Sequence, residues 1–120
     1  MKRGEIYLLA IKRKQEDSNV QAGFRPVIIV QNDFGNVYSP TTIVCAITSK
    51  PKKWLPTHCF IPKGGGLRDN STALCEQIFT VDKTFLTHRI GAITNKHILN
   101  QLDKCIRMSL GIYFRRNKYD

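Results

Sequence analysis

Gly23-Phe24-Arg25-Pro26-Val27-Ile28-Ile29-Val30-Gln31-Asn32-Asp33 decides how the rest of the chain is read. Its four β-branched residues at 27–30 have the composition of a strand buried on both faces. Pro26 opens the run, and proline is tolerated at a strand's first residue. The polar Gln31-Asn32-Asp33 closes it. One cation, Arg25, stands at the mouth of this apolar segment. A guanidinium buried without a partner is strongly unfavourable. Arg25 therefore belongs where the sheet rim meets either a carboxylate or a bound anion, and this stretch alone leaves both open.

Working outward, residues 1–120 are long enough for one domain with a core, though small enough to gain from a dimer interface. Charged residues make up 23% and hydrophobic ones 42%, which places the chain with globular rather than disordered proteins. The charge balance is lopsided: 19 Lys+Arg against 9 Asp+Glu gives a net +10. A field of that sign attracts polyanions, with nucleic acid the first candidate and a merely soluble cationic domain the alternative. The cations are spread over Lys12-Arg13-Lys14, Lys50 with Lys52 and Lys53, and Arg115-Arg116 with Lys118. That spread suits a binding surface better than a detachable tail.

The apolar run after Met1-Lys2-Arg3-Gly4-Glu5 is too short for a secretory signal, and no stretch reaches the length of a membrane helix. A cytoplasmic protein with no membrane partner is expected. Cys45, Cys59, Cys75 and Cys105 lack CxxC pairing and lie in apolar patterns, so they read as reduced core thiols. His58, His88 and His97 are scattered. No metal and no cofactor are expected.

Taken in order, residues 5–11 form a strand apolar on both faces, fitting an inner strand or one that meets a partner subunit. Residues 12–23 are polar and aperiodic, a loop of a length that is more often functional than idle. After the strand at 25–32, Asp33-Phe34-Gly35-Asn36 and Ser39-Pro40 read as turns. Residues 42–49 form a third strand, with Thr48 and Ser49 at its polar end. Thr48 is open to two readings, a hydroxyl beside a phosphate or an ordinary strand-end threonine. The loop Lys50-Pro51-Lys52-Lys53-Trp54 interleaves cations with an aromatic, a pattern suited to single-stranded nucleic acid. Trp54 could equally cover the core.

Residues 57–61 form a fourth strand, in which His58 faces solvent or a core hydrogen bond. Lys63-Gly64-Gly65-Gly66 lacks the GKS/T ending of a phosphate-binding loop and reads as a turn. Residues 70–82 read as a strand pair interrupted at Glu76-Gln77 by a bulge or surface-reaching segment. A turn at 83–86 and a short strand at 88–93 follow. From 95 to 114 the period changes: Leu99, Leu102, Ile106, Leu110 and Tyr113 mark one face of an amphipathic helix, capped by Thr94 or Asn95. Five to seven short strands and one terminal helix predict a small, mostly antiparallel β-barrel with a helix packed on it.

Six ordered segments carry a family resemblance: Lys2-Arg3-Gly4-Glu5-Ile6-Tyr7, the 23–33 stretch, Ser39-Pro40-Thr41-Thr42-Ile43-Val44, Ala46-Ile47-Thr48, Leu55-Pro56-Thr57-His58 and Glu76-Gln77-Ile78-Phe79-Thr80-Val81-Asp82-Lys83. Together they resemble the MazF/PemK toxins of bacterial toxin–antitoxin systems. The resemblance implies an SH3-like barrel of the CcdB/MazF/Kid type that forms a homodimer. It implies a sequence-specific endoribonuclease that cuts single-stranded RNA without a metal or the ribosome and is held in check by a cognate MazE-like antitoxin. The family's active-site arginine and threonine fall on Arg25 and Thr48. RNA contacts are expected from Asn19 and Gln21 in the 12–23 loop, from Phe24 and Gln31, from Ser49, Lys53 and Trp54, and from Glu76 and Gln77.

The family reaction is attack of a ribose 2′-OH on the adjacent phosphorus, leaving 2′,3′-cyclic phosphate and 5′-OH ends. The substrate supplies the nucleophile, so no Ser/His/Asp arrangement is required. Arginine's planar fork suits the non-bridging oxygens and the charge that grows on them. Taking a proton from a free arginine at neutral pH costs about 7 kcal/mol. Arg25 therefore reads as a transition-state stabiliser and a donor to the leaving oxygen, with the general base unassigned. Three departures bear on which RNA is read: Asn19-Val20-Gln21-Ala22-Gly23 replaces a common Ser-Glu-Gln-Gly-Gly, Lys12-Arg13-Lys14 lengthens the loop, and Phe79 stands where many relatives carry arginine. Two rival readings share the fold: a gyrase-binding toxin resembling CcdB, and an inactive RNA-binding module.

Overall fold

The β-branched run sits where both its faces find apolar partners. In the computed structural model, which describes residues 1–11, 23–50 and 53–112, all of it but Val30 lies in β2 (Gly23–Ile29). Ile28 points into one apolar cluster with Ile6, Cys45, Ile47, Cys59 and Leu102. Val27 and Ile29 point the other way, into a second cluster with Val44 and Leu86. Alternation along the strand thus buries consecutive residues on opposite sides, which is why an unbroken apolar run is stable here.

The remaining strands are β1 (Glu5–Ile11), β3 (Thr41–Thr48), β4 (His58–Ile61), β5 (Ser71–Asp82) and β6 (Leu86–Ala92). They form one six-stranded sheet in the order β4-β5-β3-β2-β1-β6, every pair antiparallel. The doubly apolar β1 is an inner strand, flanked by β2 and β6. A long helix, α2 (Lys96–Leu110), packs on the sheet at β4 and β5. Asn95 caps its start, its Oδ1 accepting from the amides of His97 and Ile98 at 2.9 and 3.2 Å. Gly111 ends it at φ 73°, a left-handed conformation that favours glycine. Leu102 and Cys105 are buried, whereas Leu110, on the predicted apolar stripe, is exposed. Tyr113 lies outside the described residues. This is the small antiparallel β-barrel with a C-terminal helix that the sequence predicts.

Two local expectations are corrected. The turn expected at 33–36 is the start of a short helix, α1 (Asp33–Tyr38), because its turn-forming residues also make a cap. Asn32 Oδ1 accepts from the Gly35 amide at 2.7 Å, and buried Asn36 is held by Gln31, Asp33 and Thr42. Residues 70–82 form one strand rather than a pair. Ala46 of β3 faces Leu74 while Cys45 faces Ile78, so Cys75, Glu76 and Gln77 bulge out with no β3 partner.

The barrel closes through glycines. The segment joining β4 to β5 lies backbone-to-backbone on β6, at the far edge of the sheet order. A Cβ on Gly91 would stand 1.6 Å from the Gly65 carbonyl oxygen, and one on Gly66 would stand 2.0 Å from that of Ile90. The polar Lys63-Gly64-Gly65-Gly66 run is therefore the seam of the barrel.

Candidate active site

The ladder between β2 and β3 is recorded at Val27–Ala46, Ile28–Cys45 and Ile29–Val44. Beyond it, Pro26 has no amide to continue the pairing, and β2 stays with β1 as far as Gly23. The two strands fork at that point. Arg25 and Thr48 each stand two residues beyond the last recorded pair, Val27–Ala46, one on each strand. Both line one cavity of about 680 Å³ in the fork.

The same cavity is lined by Ser49 and Lys50 from the end of β3, by Gln77 from the β5 bulge, and by Arg68 and Asp69 from the β4–β5 segment. Three cations thus meet one carboxylate. Among the described residues Arg25, Lys50 and Arg68 make no ion pair, whereas Arg3 and Arg89 are bound to Asp103 and Glu5. Thr48 Oγ1 accepts from the Lys50 amide at 3.1 Å, which leaves its own proton to donate. The cavity therefore offers cationic and hydroxyl donors to an anion, over an apolar floor that includes Pro26, Ile47 and Leu74.

A second polar group adjoins the bulge. Glu76 accepts from Thr57 Oγ1 at 2.9 Å and meets His58 Nε2 at 3.1 Å. His58 Nδ1 accepts from the Leu55 amide at 3.3 Å, so the neutral ring carries its proton on Nε2 and donates it to Glu76. Burial pushes the Glu76 carboxyl up, but its own amide, Thr57 and His58 outweigh that and hold it below the usual carboxylate range.

The structure brings Arg25, Thr48, Ser49 and Gln77 together. Phe24 is adjacent to Arg25 and 60% exposed. Lys53 and Trp54 lie outside the lining; Trp54 is 72% exposed, so it does not cover the core. Glu76 belongs to the His58 group. Gln31 is displaced from the set: its Nε2 donates to Asn36 Oδ1 and the Thr41 carbonyl, both at 3.1 Å, which ties it to α1. Asn19 and Gln21, the departures at Val20 and Ala22, and the basic groups at 12–14 and 115–118 lie outside the described residues. Arg68 and Asp69 were not singled out by the sequence. The signal was there only as a charged pair following a glycine run.

Among known structures the same fold recurs. An endoribonuclease in complex with its cognate antitoxin from a mycobacterial species superposes with a TM-score of 0.79, at 19% identity over 96% of this chain and 99% of that one. A MazE–MazF structure from Deinococcus radiodurans gives 0.76, at 17% identity over 94% and 97%. These define the class by its fold, a small antiparallel barrel with a C-terminal helix. Residues 2–110 match the family of PemK-like, MazF-like toxins of type II toxin–antitoxin systems, and the chain belongs to that family. It is 40% identical to endoribonuclease MazF of Staphylococcus saprophyticus over 98% of this chain and 97% of that protein. It is 39% identical to endoribonuclease EndoA of Bacillus subtilis, over 93% and 96%.

Proposed function

We propose that this protein is a toxin endoribonuclease that cuts single-stranded RNA, mRNA included, at short sequences in the cytoplasm, by attack of the substrate's own 2′-OH. The observation that supports this most is that Arg25 and Thr48, from the ends of β2 and β3, line one cavity in which three cations face one carboxylate. Arg25 grips the non-bridging oxygens of the reacting phosphate, and its grip tightens as charge builds in the five-coordinate transition state. Thr48 donates its hydroxyl proton to the same phosphate. Water takes up the proton of the attacking 2′-OH, and Arg25 stands ready to protonate the departing 5′ oxygen and regains its proton from solvent. The products are a 2′,3′-cyclic phosphate and a 5′-OH, and DNA is spared because it has no 2′-OH.

No step in this scheme is assigned to a metal or to the ribosome. Phe24, Ser49, Gln77, the Lys53–Trp54 pair and Glu76 flank the reacting phosphate on successive segments and serve as the base-reading surface, joined by Asn19 and Gln21. A cognate antitoxin with an acidic tail is attracted to the same cationic cavity and blocks it, so inhibition and substrate binding compete. The exposed Phe34, Tyr38 and Phe60 leave apolar surface that a homodimer would cover.

The test is incubation of the purified protein with long single-stranded RNA in EDTA, alongside Arg25→Ala, with cut sites and end groups mapped. Discrete cuts with cyclic phosphate and 5′-OH ends are expected, with the variant slower by about 100- to 1,000-fold. Uncut RNA that is nevertheless bound would overturn the enzymatic reading.

A further inference from the structure

The glycine seam does more than close the barrel, because its continuation carries Arg68 to the fork. Leu67 is buried in the main core, and its amide and carbonyl exchange hydrogen bonds with Gly64 at 3.0 and 2.9 Å. The Lys63 amide donates to Asn70 Oδ1 at 2.9 Å across the base of the segment, and Ser71 Oγ donates to the Asp69 carbonyl at 2.9 Å. Gly65 and Gly66 rest directly on the β6 backbone. Position 68 is thus braced on every side while its own side chain is exposed, lines the cavity and pairs with no carboxylate among the described residues. The constrained backbone fixes where this cation leaves the chain, so no loop has to be ordered to bring it to an anion in the cavity.

We propose that Arg68 binds a second phosphate of the RNA strand, next to the reacting one held by Arg25; this rests on the RNA-cleaving reading above. A cavity of about 680 Å³ is far larger than one phosphate and lies within the range that encloses a whole small ligand, about 300–1,000 Å³. The two arginines come from different walls, Arg25 from β2 and Arg68 from the seam, so they suit different groups of one extended polyanion. Arg68 is a binding residue: it holds the strand in the cavity beside the phosphate gripped by Arg25.

The experiment has a binding arm and a cleavage arm. The probe is a short 2′-O-methyl oligoribonucleotide of mixed sequence, which cannot react by 2′-OH attack. Its affinity is measured against salt for the wild type, Arg68→Ala, Arg68→Lys and Arg68→Glu. Each phosphate neutralised on a single strand adds about 0.7 to the slope of log affinity against log salt. Arg68→Ala should lower that slope by about 0.7 and weaken binding by about tenfold at low salt. Arg68→Lys should keep the slope, and Arg68→Glu should lose more than alanine does. In the cleavage arm, KM should rise about tenfold in Arg68→Ala with kcat little changed. An unchanged slope and KM in Arg68→Ala would overturn the role of Arg68. If the wild type binds the probe but never cuts RNA, the enzymatic reading fails while the binding arm still decides Arg68. Unfolding midpoints equal to wild type confirm that the exposed substitutions leave the fold intact.

Discussion

Arg25 could be read from its neighbours because its problem is local: a cation next to a doubly buried strand must end at a rim, and the strand–proline junction says which rim. The fork geometry sharpens what the side chain is for. If the guanidinium fork holds two oxygens at once, Arg25→Lys keeps the charge and loses that shape. Its kcat should fall by about tenfold or more while KM moves little, measured on one mapped RNA site. Gln31 is placed by an equally local circumstance. A polar residue after a strand can face a ligand or finish a helix cap, and only the buried Asn36 beside it decides. Arg68 was not legible, since its position depends on a seam between segments more than twenty residues apart in sequence.

Glu5 supplies a residue-level check on stability. Burial pushes its carboxyl up, but the Arg89 guanidinium at 2.8 Å and the Lys2 amide at 2.7 Å outweigh this and hold it below the usual range. A folded-state value below the unfolded one means the fold favours the carboxylate. This contribution is complete above the ordinary carboxylate range and is lost as pH falls through the lowered folded value. Unfolding midpoints should therefore drop with acid more steeply in the wild type than in Glu5→Gln, and parallel curves would remove Glu5 from the account.

At the scale of elements, strands and helix were legible where burial sets the period and illegible where a backbone irregularity does. β1 to β3 and α2 announce themselves by apolar spacing. The β5 bulge was legible in Glu76-Gln77, but not that the strand runs on through it as one element. The glycine run read as a turn, although its function is contact with β6. Gly91→Ala should therefore be among the most harmful small changes in the chain. Its methyl would meet the Gly65 carbonyl, and prising the seam from β6 should cost about 3 kcal/mol in denaturant unfolding. Asn95→Ala, which removes only a helix cap, should cost about 1 kcal/mol. A Gly91→Ala cost no larger than that would mean the seam yields freely.

For the whole molecule, the net +10 makes any polyanion a competitor. An acidic peptide with no antitoxin sequence should raise KM for RNA and leave kcat alone, with an effect that fades as salt shortens the Debye length below about 8 Å. Inhibition undiminished by salt would instead indicate specific docking.

The four cysteines, noted so far as core residues, make the protein its own clock. Cys45, Cys59, Cys75 and Cys105 stand on β3, β4, β5 and α2, and all are buried and unpaired in disulfides. Burial pushes the Cys59 thiol up to about 12, and the contact from Cys45 at 3.9 Å together with burial pushes Cys75 up as well. Such thiols do not react with alkylating reagents while the protein is closed. The rate at which each is labelled thus counts how often its element opens to water. Four equal rates would describe a molecule that opens only as a unit. Faster labelling of Cys105 than of Cys45 would show the helix lifting from the sheet before the sheet itself gives way.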